Sequence, residues 1–339
     1  MEISMRSQKL LCVAGGSGLV GSSIVRAALN RGYKVNATMR DKDAAEKAPY
    51  LWALPGNEWL SLFNADMSDG SSFVQPLENA DCIFIACLIP TYSGPDGTLA
   101  REMDQDQGYA EIISPTVNGC LNILRAANQQ GIKKAVICSS TSSTNPVPNV
   151  EVKNEIDHWS DEVVQCESKK YTSAAKTVME KEAMKFCEDH GIRLSVILPT
   201  GLYGPAVLPG HMKHNPFVWL QRVIKGGPAR HEKTPNDSAS MIHLHDLAAL
   251  FLAAYENPNA SGRYFGVYDS LHWQDIYAEC QKILPDMQMP APITEAAARP
   301  TGFDFSRRDS LGVAIRDFPT SLRQTIEWIK SDPFNSEKQ

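Results

Sequence analysis

Apolar residues come in short unbroken runs separated by longer stretches of helical period. Residues 10–14, LLCVA, form a buried-strand run that ends in glycines. A helical period covers 20–30 and stops at Arg31-Gly32. Residues 33–39 read as a second strand, which completes a βαβ unit. The alternation continues with strands over 59–64, 81–87, 134–138 and 193–199, and helices over 114–129 and 171–189. Such a rhythm predicts an α/β fold, a doubly wound, Rossmann-type parallel sheet with helices on both faces. Past Pro199 the pattern loosens. Residues 201–216 are rich in Gly and Pro and read as loop. Helical periods cover 217–225 and 246–256, and a strand covers 263–268. Residues 284–300 are a proline-bearing connection. The expected organisation is a dinucleotide-binding domain over 1–200 and a smaller α+β substrate lobe over 201–330. The lobe is partly interwoven, with some segments returning to the first domain.

Composition changes this picture little. The 339 residues are 43% hydrophobic, ample for a large core, and carry a formal charge of −6. No basic block points to nucleic acid. The eight cysteines include no Cys-x-x-Cys pair and several lie in apolar runs, so they read as free thiols in a reducing compartment. No run reaches membrane-spanning length, and the first residues lack a signal-peptide pattern. These features predict a cytoplasmic protein with no membrane partner.

The chemistry begins at Gly15-x-x-Gly18-x-x-Gly21, between a strand and a helix. Glycines there let the backbone approach a pyrophosphate, and the helix N-terminus offers free N–H groups. Gly15, Ser17, Gly18, Leu19, Val20 and Gly21 are the expected cradle. The second strand ends Met39-Arg40, where an NAD-binding chain usually carries an acid for the ribose. The Arg40 guanidinium suits a 2′-phosphate, which favours NADP(H). Lys47 either adds charge there or is an ordinary solvated lysine. Asp66, before Met67, either accepts from the adenine amino group or caps a turn.

The motifs VAGGSGLVGSSIVRAALNRGYKVNATMRD, PTVNGCLNILRAANQQGIKKAVICSS, AKTVMEKEAMKFCEDHGI, VILPTGLYGP and MIHLHDLAALFLAAYENPNASGRYFG span nearly the whole chain. In order and spacing they resemble the extended short-chain dehydrogenase/reductases, and among them the dihydroflavonol reductase and cinnamoyl-CoA reductase group. That resemblance implies an NADP(H)-dependent reductase of a ketone or aldehyde, with a Ser-Tyr-Lys constellation. Ser140 would hold the carbonyl oxygen, Tyr171 would donate the proton, and Lys176 would bind the nicotinamide ribose and lower the tyrosine pKa. It also places Ala86, Cys87, Pro199 and Thr200 beside the coenzyme. Asn145 and Tyr203 become substrate contacts, and the partner becomes a small carbonyl or alcohol compound. Monomer and homodimer are both compatible with it.

One spacing departs from the family. The pattern is Tyr-x-x-x-Lys, yet the residue four before Lys176 is Thr172, and Tyr171 is five before it. On a regular helix residues i and i+5 lie about 140° apart. An active enzyme of this design therefore requires a π-bulge between Tyr171 and Lys176, or a non-helical first turn that swings the ring back. Without such a repair the chain reads as a catalytically silent NADP(H)-binding protein. A nucleotide-sugar epimerase is a further alternative, against which Arg40 speaks. Two histidine pairs, His211/His214 and His243/His245, are set aside as metal ligands. Asp246 reads as a helix N-cap, and Glu180 and Glu182 read as a solvated helix face.

Overall fold

The computed structural model describes residues 9–335, so the reading of the first residues as free of a signal pattern lies outside it. Seven parallel strands form one sheet in the order β10-β7-β5-β4-β1-β2-β3. They are β1 Leu10–Ala14, β2 Lys34–Met39, β3 Leu60–Asn64, β4 Cys82–Ile85, β5 Lys134–Cys138, β7 Arg193–Pro199 and β10 Gly262–Gly266. Central strands are apolar on both faces because helices cover both faces. On one side Leu11, Val13, Val35 and Phe84 pack against α1 (Leu19–Asn30) and a later helix that includes Leu247, Leu250 and Phe251. On the other, Cys12, Ile83, Ile85 and Ile137 pack against α2 (Ser114–Gln129) and α3 (Tyr171–Asp189). The doubly wound α/β sheet expected from the strand–helix rhythm is the observed one.

Strand order reverses between β1 and β4, so their carboxyl ends open a crevice where Rossmann-type sheets hold ligands. Past Pro199 the chain builds a second layer. The segment 201–216 is not all loop, because Gly201–Tyr203 form β8, which pairs in parallel with β9 (Ser238–His243). β11 (Asp269–His272) adds antiparallel to β9. A short pair, β6 (Val152–Lys153) with β12 (Gly302–Phe303), stands apart. The lobe's own core joins α4 (Phe217–Ile224), α6 (Trp273–Ile283) and α7 (Phe318–Lys330) through Phe217, Trp219, Tyr277, Phe318 and Leu322. Between α4 and α6, α5 (Leu244–Glu256) and β10 return to the large sheet. Among the described residues no helix is long and apolar enough to cross a membrane.

Two local expectations change. His243, not Asp246, caps α5, its Nδ1 accepting from the His245 N–H at 3.1 Å. Asp246 instead lies within the helix's first turn, where its carboxylate accepts from the backbone N–H and the guanidinium of Arg316. Glu180 is not on a solvated face. It is fully buried, and its Oε2 takes the Arg263 Nε at 2.9 Å.

Candidate active site

The crevice starts at the turn between β1 and α1. Gly15 has a φ of 82°, in the left-handed region open to glycine. A Cβ on Gly21 would lie 2.1 Å from the Gly15 carbonyl oxygen, so a side chain there would prise the turn open. Gly18 caps α1 with no side-chain bond, and no acid occupies the first turn. The first N–H groups of α1 are thus left for an anion. Ser17, Leu19 and Val20 are half-buried around this turn. Its geometry fits a pyrophosphate.

Arg40 follows β2, exposed and with no carboxylate within ion-pair distance among the described residues. Lys47 lies nearer Glu46, at 3.5 Å. The Asp66 carboxylate accepts from the Ser68 N–H at 2.9 Å and the Ser68 hydroxyl at 2.7 Å. Those two bonds hold its pKa below the usual carboxylate value, with a smaller contribution from Arg40. Asp66 and Met67 also line a cleft of about 500 Å³, with Gly119, Asn122 and Arg125 on its other wall. The turn-residue and ligand-cleft readings of Asp66 therefore meet in one place. Ala86 and Cys87 follow β4, and a Cβ on Gly15 would lie 2.8 Å from the Cys87 Cα. Pro199 ends β7, and Thr200 links it to β8.

One clamp on the glycine turn carries no signal in its local sequence. The His211 Nδ1 accepts from the Leu208 N–H, so its Nε2–H donates to the Ser17 carbonyl at 3.1 Å. The smaller lobe thereby holds the coenzyme turn, and Arg26 returns the contact by donating to the Pro205 carbonyl at 3.0 Å. Burial pushes the His211 pKa from 6.5 down to about 4, and it likewise lowers His243 to about 3 and His245 to about 4. A histidine depressed in the folded state stays neutral there while the unfolded chain takes up its proton. Its contribution is complete above pH 6.5 and is lost as pH falls toward 4. Denaturation midpoints are expected to decline over that window, and His211→Gln should show a shallower decline. Identical slopes for the two proteins would count against the clamp.

The Ser140, Tyr171 and Lys176 trio is only partly assembled. Ser140 caps a short turn after β5, half-buried, its Oγ accepting from the Ser142 N–H at 3.2 Å. Lys176 is buried, and its Nζ donates to the Leu88 carbonyl just past β4. No carboxylate lies within ion-pair distance of it among the described residues. Burial lowers its pKa, opposed by the neighbouring Cys138 and Glu180. Asn145 is exposed, and its Oδ1 accepts from Lys153 at 2.5 Å. Tyr203 is buried in the lobe core.

Tyr171 does not join them. α3 runs as an unbroken α-helix from Tyr171 to Asp189, with no bulge to absorb the extra residue. The one π-turn among the described residues lies elsewhere, over Tyr109–Ile113. The ring instead packs with Met103, Ile112 and Ile113. It presses so closely on Gly108 that a Cβ there would sit 2.5 Å from it. Burial, then the Cys166 thiol and the Asp104 carboxylate, raise the phenol's pKa, the reverse of the effect of an adjacent ammonium. Thr172 occupies the place one helical turn before Lys176. Its hydroxyl donates to the Thr91 carbonyl, on the same 88–91 segment that Lys176 holds.

The loop carrying Ser140 is anchored from beneath. Ser139 donates to the Glu180 carboxylate, and Arg263 bonds the Ser143 carbonyl at 3.1 Å and its hydroxyl at 2.9 Å. Arg263 also donates to the Glu155 and His158 carbonyls and lies 3.6 Å over the Trp159 ring.

Residues 11–267 match the NAD dependent epimerase/dehydratase family. A cinnamoyl-CoA reductase of Medicago truncatula is 27% identical over 332 residues, 96% of this chain and 97% of that protein. A dihydroflavonol 4-reductase of Hordeum vulgare is 32% identical over 258 residues, 74% of this chain and 68% of that one. Among solved structures, vestitone reductase from alfalfa superposes with a TM-score of 0.76 at 24% identity, covering 96% of this chain and 99% of its own. Yeast methylglyoxal/isovaleraldehyde reductase complexed with NADPH gives 0.77 at 18% identity, with coverages of 96% and 99%. The chain therefore belongs to the NAD dependent epimerase/dehydratase family, as an extended short-chain dehydrogenase/reductase of the group that holds the dihydroflavonol and cinnamoyl-CoA reductases.

Proposed function

We propose that this chain is an NADPH-dependent reductase of a ketone or aldehyde, working without a phenol as its acid. The observation that carries the reading is Lys176, buried with no ion-paired carboxylate among the described residues, set at the carboxyl edge of β4 and β5 beside the Ser140 turn. The Leu88 carbonyl satisfies only one of the N–H donors that so deeply buried a lysine carries. A ribose hydroxyl gives it a functional partner as well. The glycine turn, the free N-terminus of α1 and Arg40 suit the pyrophosphate and 2′-phosphate, with Ala86, Cys87, Pro199 and Thr200 around the nicotinamide end.

Bound there, NADPH supplies the hydride for the carbonyl carbon. The protein's part is to hold the carbonyl oxygen on the Ser140 hydroxyl and to protonate the alkoxide that results. With Thr172 in the phenol's place, the acid at this edge is the Lys176 ammonium. Burial makes it a stronger acid than a solvated lysine, and the proton passes through solvent in the crevice. Solvent then reprotonates the amine.

The test is consumption of NADPH across a panel of ketones and aldehydes. Lys176→Met is expected to slow it about 100-fold or more. An unchanged rate in that variant would remove Lys176 from the mechanism.

Thr172 also favours a second reading, a protein that binds NADP(H) and turns nothing over. Tight NADPH binding with no consumption over the whole panel would establish it.

A further inference from the structure

The smaller lobe carries a second cavity, separate from the coenzyme cleft. It has a volume of about 60 Å³, and its lining includes Gly201, Asn215, Arg230, Ser240, Met241 and Trp273. Gly201 directly follows Thr200, which the proposed reading puts beside the nicotinamide.

Aromatic rings gather on one side of it. The Trp273 ring meets the His231 ring edge-on at 4.5 Å, and the His231 Nδ1 lies 2.7 Å from the Tyr277 hydroxyl. Arg230 lies beside them, its guanidinium carbon 5.1 Å from the Trp273 ring centre. Arg230 is exposed, and its N–H groups make no hydrogen bond or ion pair among the described residues. Other arginines of the chain are engaged differently. Arg193 spends its donors on four carbonyls, Arg263 on a carboxylate and three carbonyls, and Arg222 on two carbonyls. Arg230 instead keeps its donors free beside Trp273, at the edge of a cavity.

We propose that this cavity is a carboxylate subsite, and that the carbonyl substrate carries a carboxylate on an aromatic or apolar body. The inference rests on the reductase reading for the word substrate, and on the cavity alone for the carboxylate. Three features select the ligand. The volume of about 60 Å³ suits a small group such as a carboxylate and is well below that of a pocket for a whole substrate. One guanidinium balances a monoanion, whereas a phosphate dianion would leave charge unpaired. A planar fork pairs with a carboxylate through two parallel hydrogen bonds, and the Asn215 amide and Ser240 hydroxyl complete a polar rim over an apolar base. The acid-bearing end of the substrate would anchor here, and its carbonyl would extend past Gly201 toward Ser140.

Two measurements on the full chain test this. Binding of cinnamate and of the neutral cinnamamide is followed by calorimetry with NADP⁺ present. Cinnamate is expected to bind at least about tenfold more tightly than the amide, and Arg230→Gln should abolish the difference. Arg230→Lys, which keeps the charge and loses the fork, should recover only part of it. Equal binding of acid and amide by the wild-type protein would overturn the subsite, as would a difference that survives in Arg230→Gln. NADPH affinity of each variant reports whether it is folded. The second measurement compares NADPH consumption with phenylglyoxylate and with its methyl ester. Preference for the acid, narrowed by Arg230→Gln, supports the proposal. Reduction of both with equal efficiency sinks the subsite and leaves the reductase standing. Selective binding of cinnamate with neither carbonyl reduced sinks the reductase reading and leaves the subsite.

Discussion

Thr172→Tyr is expected to raise carbonyl reduction by about 10- to 100-fold, at the lower end of what a positioned general acid contributes. The side chain at 172 leaves the same face of α3 as Lys176, one turn earlier, and both reach the 88–91 segment. A phenol there would project into the crevice beside the ammonium, which would lower its pKa from about 10. The substitution gives up one hydrogen bond, to the Thr91 carbonyl, worth about 1 kcal/mol. The matching variant is Tyr171→Phe. That ring packs beneath the Gln105–Gly108 turn, and its hydroxyl makes no hydrogen bond among the described residues. NADPH consumption by Tyr171→Phe should equal that of the wild type. A loss of activity in Tyr171→Phe, or no gain in Thr172→Tyr, would show that the acid is placed otherwise than argued here.

The largest stability effect should come from Arg263. Its guanidinium and the Glu180 carboxylate are buried together, 2.9 Å apart. Burial raises the Glu180 pKa, and Arg263 and Ser139 pull it back toward the ionised form. Arg263→Met leaves that carboxylate buried without its cation, a change that costs about 3–5 kcal/mol. It also frees the Ser143 and His158 carbonyls, which hold the loop bearing Ser140. The expected outcome is a strongly lowered denaturation midpoint, with turnover falling even at temperatures where the variant is folded. A double variant, Arg263→Met with Glu180→Leu, should regain part of the lost stability, because no charge is then stranded. If the single and double variants are equally destabilised, the loss comes from packing against Trp159 and not from the unpaired charge.

The two predictions mark how far the chain could be read from its residues. Periodicity alone located the strands and helices of the large sheet, because each buried strand is a short apolar run and each covering helix repeats its apolar face every turn. α2 and α3 begin and end where the pattern places them, at 114–129 and 171–189. The glycine turn was legible for the same reason, since the tight approach of Gly21 to the Gly15 carbonyl depends on neighbours in sequence. In the smaller lobe the pattern leaves β9, β11, α6 and α7 unread and gives β8 as loop. Gly201–Tyr203 is three residues long, rich in turn formers, and extended only because β9 lies alongside it.

By itself, the sequence determined the sheet, the coenzyme turn and the one-residue mismatch between Tyr171 and Lys176. All three follow from local spacing. Tertiary structure decided what that mismatch means. A regular helix and a bulged one have the same residues at 171–176. The choice was made by the pocket that Met103, Gly108 and Ile112 offer to the ring. Glu180 looked solvated because its partner lies 83 residues away in β10, and Ser17 gave no hint of a clamp 194 residues downstream. Arg230 became a candidate anion site only when the fold set it beside Trp273 and the cavity they line. Contacts at such separations depend on how finished elements pack, and that information is spread over the whole chain instead of residing in any one stretch of it.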